Sequence, residues 1–201
     1  MQLSRLEIDE FLDQEDFSKL CELAKKIDTT STTSCLKNNW YYTTDGKYGN
    51  IIRFCAPKPN KTMPISTSEQ EFNPDFEESF QNKIYSILEN CLEKYRDKID
   101  QVGKSMVSSD FKLGHVKMEL QYTDALRTHH PHQHHEDLNG TVYIFPKVAK
   151  GTIFLENEED VVSWKPNKCC LHTKNILHVF ENDIDTHKRF TLNFFATREA
   201  V

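Results

Sequence analysis

Near residue 111 the hydrophobic period of this chain changes from that of a helix to that of a strand. Val116, Met118, Leu120 and Tyr122 alternate with Lys117, Glu119 and Gln121. Successive strand side chains point to opposite faces, so this stretch reads as a half-buried strand. "TVYIF", "GTIFLE", "VVSW", "KCCLH", "ILHVF" and "RFTLNFFA" follow as short strands with turn residues between them. Before the switch, 13–28 reads as an amphipathic helix. Asp13 suits its N-cap, and Phe17, Leu20, Cys21, Ala24 and Ile27 share one face. A longer helix is expected over 74–99, started by Asn73 and Pro74, with a stripe through Phe76, Phe80, Ile84, Leu88, Cys91, Tyr95 and Ile99. Helices followed by at least seven short strands predict an α+β, mainly β fold, a β-sandwich or jelly roll buttressed by helices.

The 201 residues suit a single domain over 1–201, with 1–105 as helical buttress and lid and 106–198 as the jelly-roll core. Between the helices, "TTDGKYG" reads as a hairpin turn and 56–74 as a long loop. Segment 36–72, with Trp40, Tyr41, Tyr42, Tyr48 and Arg53, is the expected substrate-facing lid. The net charge of −6, without runs of Lys and Arg among aromatics, disfavours a nucleic-acid partner. No stretch approaches 18 apolar residues, so no membrane span is expected. The opening "MQLSRLEIDEFLDQEDF" lacks the apolar core of a signal peptide, and the six cysteines form no CxxC pair. The expectation is a cytoplasmic protein with reduced thiols.

"HHPHQHHED" places five histidines and two acids within nine residues, 129–137. His135 and Asp137 form an HxD pair that would face one way on an extended strand and converge on one ion. His134 and Glu136 form a rival pair on the opposite face. His129, His130 and His132 are read as solvated loop residues, and His172 and His187 as structural or exposed. His178, 41 residues after Asp137, is the third candidate ligand. Two imidazoles and one carboxylate leave three positions open on an octahedral ion, the pattern of non-haem Fe(II) that activates O2. On the last strand, Arg189, Thr191 and Asn193 alternate with Phe190, Leu192 and Phe194. A buried guanidinium there suits a carboxylate held bidentately, with the Thr191 hydroxyl beside it, and Asn193 faces the same side.

The series His135-x-Asp137, His178, Arg189-x-Thr191 resembles the Fe(II)/2-oxoglutarate-dependent dioxygenases, in particular their prolyl-4-hydroxylase-like branch. "EIDEFLDQEDFSKLCELAKKI" is similar to that family's opening strand and helix, and "WKPNKCCLHTKNILHVFEN" to its approach to the distal histidine. "KGTIFLE" resembles a family strand, with Lys150-Gly151 where Gly-Gly is usual. The resemblance implies a double-stranded β-helix, and it favours His135 and Asp137 over His134 and Glu136, because Asp is the family's usual carboxylate. It also implies Fe(II), 2-oxoglutarate as co-substrate, and O2. His135, Asp137 and His178 would be catalytic ligands. Arg189 and Thr191 would hold the far carboxylate of 2-oxoglutarate, with Tyr122 and Asn193 in its pocket. The implied reaction hydroxylates a prolyl or other amino-acid side chain of a peptide, or a small molecule, with succinate and CO2 as co-products. The alternative is a cupin-like jelly roll that binds a metal without oxygenase activity; such a protein has no use for the Arg189-x-Thr191 clamp.

Overall fold

The computed structural model describes residues 3–30, 50–56, 77–124, 131–147, 149–155, 160–180 and 188–200. Within them the chain runs β1 (Arg5–Ile8), α1 (Gln14–Thr30), β2 (Asn50–Ala56), α2 (Glu78–Met106), β3 (Leu113–Asp124), β4 (Leu138–Phe145), β5 (Thr152–Phe154), β6 (Asp160–Val161), β7 (Cys169–Thr173), β8 (His178–Phe180) and β9 (Lys188–Arg198). The mainly β expectation holds. The lid aromatics Trp40, Tyr41, Tyr42 and Tyr48, the "TTDGKYG" turn and the 57–74 part of the long loop lie outside the described residues, as do His129, His130 and His187.

Six strands form one antiparallel sheet in the order β1-β7-β4-β9-β3-β2, and β6-β5-β8 form a second. The alternation read from β3 is the alternation observed. Val116, Met118, Leu120 and Tyr122 join Phe190, Leu192, Phe194 and Ala196 of β9 in the larger core, which α1 and α2 cover. Burying one such side chain stabilises by about 1.5–3 kcal/mol before entropy is counted.

Asp13 caps α1 as expected, its Oδ1 accepting from Asp16 N at 2.9 Å. Helix α2 starts later than 74 and extends past 99 to Met106. The stripe continues through Val102 and Met106, and Gly103 lets the helix lie against the Phe111 ring, where a Cβ would come within 2.3 Å. The expected caps Asn73 and Pro74 lie outside the described residues; Glu77 occupies the N-cap position without a side-chain bond.

On the other face of the large sheet, Tyr143, Phe154, Val162, Trp164, Cys170 and Ile176 build a smaller core between the two sheets. Cys169 and Cys170 divide between the cores, as adjacent strand residues must. Five cysteines, Cys21, Cys55, Cys91, Cys169 and Cys170, are free thiols. At Gly151 a Cβ would fall 1.6 Å from the Val162 carbonyl oxygen, so only glycine lets β5 start here. No described helix is long and apolar enough to cross a membrane.

Candidate metal and co-substrate site

A cavity of about 270 Å³ opens beside the smaller core, lined from both sheets. Its wall follows strand parity: Lys117, Glu119 and Gln121 from β3, Arg189, Thr191, Asn193 and Phe195 from β9, and Thr141 and Tyr143 from β4. Register sets these side by side, with Gln121 opposite Thr191 and Thr141 opposite Asn193.

The segment carrying the histidine cluster crosses the mouth as an extended edge beside β8. His132 N donates to His178 O and His178 N to His132 O, each at 3.0 Å, and Asn175 N donates to His134 O at 2.9 Å. Pinned there, the segment alternates. Pro131, Gln133 and His135 are exposed, whereas His132, His134 and Glu136 turn toward the cavity. One nitrogen from each of His132, His134 and His178 lies within 4.8 Å of the other two. His134 also packs edge-on against Phe195, ring centres 5.0 Å apart.

This geometry corrects the register of the expected ligand pair. His135 does not line the cavity. Asp137 turns to the sheet margin, where its carboxylate accepts from Arg198 N at 3.0 Å and from Lys174 Nζ at 3.2 Å. Burial works against ionisation of Asp137, but these two donors outweigh it and hold the carboxyl below its usual range. Of His135, Asp137 and His178, only His178 lines the cavity.

His178 is 8% exposed, and its Nδ1 lies 3.0 Å from Ile176 O. That contact makes Nδ1 the protonated nitrogen and leaves the Nε2 lone pair for a ligand. Burial first, then the neighbouring His172, pushes its pKa down to about 3. His172, which the sequence presents as structural or exposed, is 4% exposed and lines the cavity, its ring centre 4.5 Å from that of His178. Burial lowers its pKa to about 4.

Arg189, Thr191 and Asn193 line the cavity, in agreement with their alternation. Arg189 is 4% exposed. Its guanidinium lies between Trp164 and Phe180, 4.7 and 4.4 Å from the ring centres, and donates from Nη2 to Lys150 O at 2.6 Å. Asn193 Nδ2 donates to Gln121 Oε1 at 3.1 Å. Tyr122 does not reach the cavity. It stands opposite Phe190 in the helix-side core, ring centres 4.7 Å apart. The cavity tyrosine is Tyr143, whose hydroxyl meets Thr152 Oγ1 at 2.8 Å and accepts from Thr152 N at 3.1 Å.

No protein-family model matches the sequence, and no curated protein does. Solved structures do match. A Pseudomonas putida prolyl-4-hydroxylase is 10% identical with a TM-score of 0.57, over 98% of this chain and 94% of that one. A Trichoplax adhaerens prolyl hydroxylase, in complex with a hypoxia inducible factor oxygen degradation domain peptide fragment, is 10% identical with a TM-score of 0.59, over 97% and 84%. A full-length Neurospora crassa protein, in complex with alpha-KG and 5-formyluracil, is 9% identical with a TM-score of 0.63, over 98% and 75%. The chain is thus similar throughout to prolyl-4-hydroxylases and other 2OG-Fe(II) oxygenases, and shares their fold.

Proposed function

We propose that this chain is an Fe(II)- and 2-oxoglutarate-dependent dioxygenase, one double-stranded β-helix (jelly-roll) domain over 1–201, that hydroxylates a peptide side chain or a small molecule. The observation that carries this reading is the convergence of His132, His134 and His178 in a cavity whose wall also holds the buried Arg189 guanidinium.

The residues fit the ion. Metal–imidazole bonds of about 2.1 Å put neighbouring nitrogens about 3 Å apart, so nitrogens already within 4.8 Å need only a modest approach. Imidazole suits iron as it suits zinc, copper and nickel, so the choice of iron rests on the shared fold. With Fe(II) and O2 bound, oxidation of 2-oxoglutarate to succinate and CO2 would place one oxygen atom on the substrate.

The chain's own side chains do the positioning. The Ile176 carbonyl holds His178 in its Nδ1-protonated form with Nε2 toward the ion. Arg189, kept in place by two aromatic faces, grips the far carboxylate of 2-oxoglutarate, with the Thr191 hydroxyl two residues along the same wall. Tyr143 takes the tyrosine role that the family resemblance gives to Tyr122, and Asn193 with Gln121 forms a polar floor. Two of the similar solved structures hold a peptide fragment and 5-formyluracil, so a peptide side chain or a small molecule is the substrate class sought first.

A metal-binding jelly roll without oxygenase activity is the second reading. It is favoured by the grouping of three histidines without a carboxylate, unlike a two-histidine, one-carboxylate set, and opposed by Arg189 on the cavity wall. The two readings separate when protein loaded with Fe(II) under argon receives O2 and carboxyl-labelled 2-oxoglutarate. An oxygenase forms succinate and labelled CO2, slowly even without substrate. Production no faster than in metal-free protein leaves the binder.

A further inference from the structure

The cavity is polarised along its wall. Arg189 stands at one end of the inward row of β9, and Phe195 stands six residues on, about 20 Å along the strand. At the Phe195 end the histidine segment crosses. Phe195 lies opposite Asn139 of β4, and Asn139 lies opposite His172 of β7. Asn139 Nδ2 donates to Glu136 O at 3.1 Å, which ties Glu136 to the same end. In the proposed function 2-oxoglutarate takes the Arg189 end, so the other end is left for the substrate.

The polar groups left over at that end are acceptors. His172 is 4% exposed and lies outside the metal-capable cluster. Its Nδ1 lies 2.9 Å from the Thr173 carbonyl oxygen, so the ring proton sits there and Nε2 is a bare lone pair on the cavity wall. That nitrogen has no hydrogen-bond partner among the described residues, and the buried Asn139 Oδ1 beside it has none either. Buried acceptors left in this way point to a donor from outside the chain. Glu136 is partly buried and lines the same cavity, and its carboxylate makes no hydrogen bond or ion pair among the described residues. The cations at this end are held by other acids. Lys117 Nζ lies 3.6 Å from Glu119 Oε2, and Lys174 Nζ and Arg198 Nε lie 3.2 and 4.0 Å from Asp137 Oδ1.

We propose that this end is a subsite for a cationic N–H donor, so that the substrate carries an ammonium or a guanidinium group rather than a prolyl ring, which offers no donor. Glu136 supplies the counter-charge, and His172 Nε2 accepts a further hydrogen bond. The proposal rests on the reading of the cavity as an Fe(II)/2-oxoglutarate site. It leaves the three remaining positions of an octahedral ion to 2-oxoglutarate and O2.

The test is calorimetric titration, under argon, of Co(II)-loaded protein saturated with 2-oxoglutarate. The probes are N-acetyl-lysine methylamide and N-acetyl-arginine methylamide, set against the neutral N-acetyl-norleucine and N-acetyl-proline methylamides. We expect a basic probe to bind at least about tenfold more tightly than either neutral one, and the tighter of the two basic probes tells ammonium from guanidinium. Glu136→Gln, its folding checked by circular dichroism, should remove most of that preference and leave norleucine-probe affinity within about twofold of wild type. No preference for a basic probe in wild type, or an undiminished preference in Glu136→Gln, would overturn the proposal, provided the protein holds both Co(II) and 2-oxoglutarate. If it does not hold both, the reading of the cavity as a metal and co-substrate site fails instead.

Discussion

His132 and His178 exchange backbone hydrogen bonds, each amide donating to the other's carbonyl at 3.0 Å, and their rings face the cavity with centres 4.4 Å apart. This pairing joins chain positions 46 residues apart and decides which members of the histidine cluster look inward.

Removing an inward imidazole should therefore matter and removing an outward one should not. His132→Ala is expected to weaken Co(II) binding by about 100-fold or more, and His135→Ala by less than twofold. Isothermal titration of the metal-free variants measures both. If His135→Ala is the damaging change, the ligand register is the one that HxD suggests.

Asp137 is expected to act on stability and not on the metal. Its carboxyl is held below its usual range by Arg198 N–H and Lys174, so the folded state binds its proton less readily than the unfolded chain does. The resulting stabilisation is present above about pH 4 and is lost as pH falls through the depressed folded value. Asp137→Asn should lower stability by about 1–2 kcal/mol at pH 7, with the gap to wild type closing on acidification. Urea unfolding at pH 7 and pH 3 tests this, and unchanged Co(II) affinity in Asp137→Asn separates it from a ligand.

Arg189 should govern co-substrate affinity. Replacing it by Met keeps much of the packing between Trp164 and Phe180 but removes the charge-assisted hydrogen bonds. The expected loss is about 2–3 kcal/mol, or roughly 30- to 150-fold in the dissociation constant of 2-oxoglutarate. Tyr122→Phe should leave that constant unchanged, because the ring lies in the helix-side core.

Gly151→Ala should be harmful although it lies outside the proposed chemistry. Its methyl would sit 1.6 Å from Val162 O, a backbone atom that cannot swing away. A loss of about 3 kcal/mol is expected, seen as a lower melting temperature. A melting point within a degree or two of wild type would show that β5 and the Val162 segment separate easily.

Much of the fold is legible in the sequence because period and burial are local. The β3 and β9 alternations place Glu119, Gln121, Arg189, Thr191 and Asn193 on one wall, where they stand. The same alternation groups Tyr122 with Val116, Met118 and Leu120, in the core; a cofactor role for it on family resemblance goes against its own period. The ligand register is not legible. Five histidines in seven residues offer a pair on either face, and the choice is made by the bridge from His132 to His178 and the bond from Asn175 to His134, which no local pattern encodes. His172 is hidden for a similar reason. "KCCLH" shows that Cys170 and His172 share a face, but only pairing with β4 shows that this face is the cavity.

The central claim is that one cavity gathers a ferrous ion and 2-oxoglutarate, and it is tested most directly by absorption spectroscopy without oxygen. Adding 2-oxoglutarate to the Fe(II)-loaded protein should raise a weak visible charge-transfer band, saturating at one equivalent of iron and absent in His178→Ala. If wild type shows no such band, or if His178→Ala shows it undiminished, the claim is contradicted.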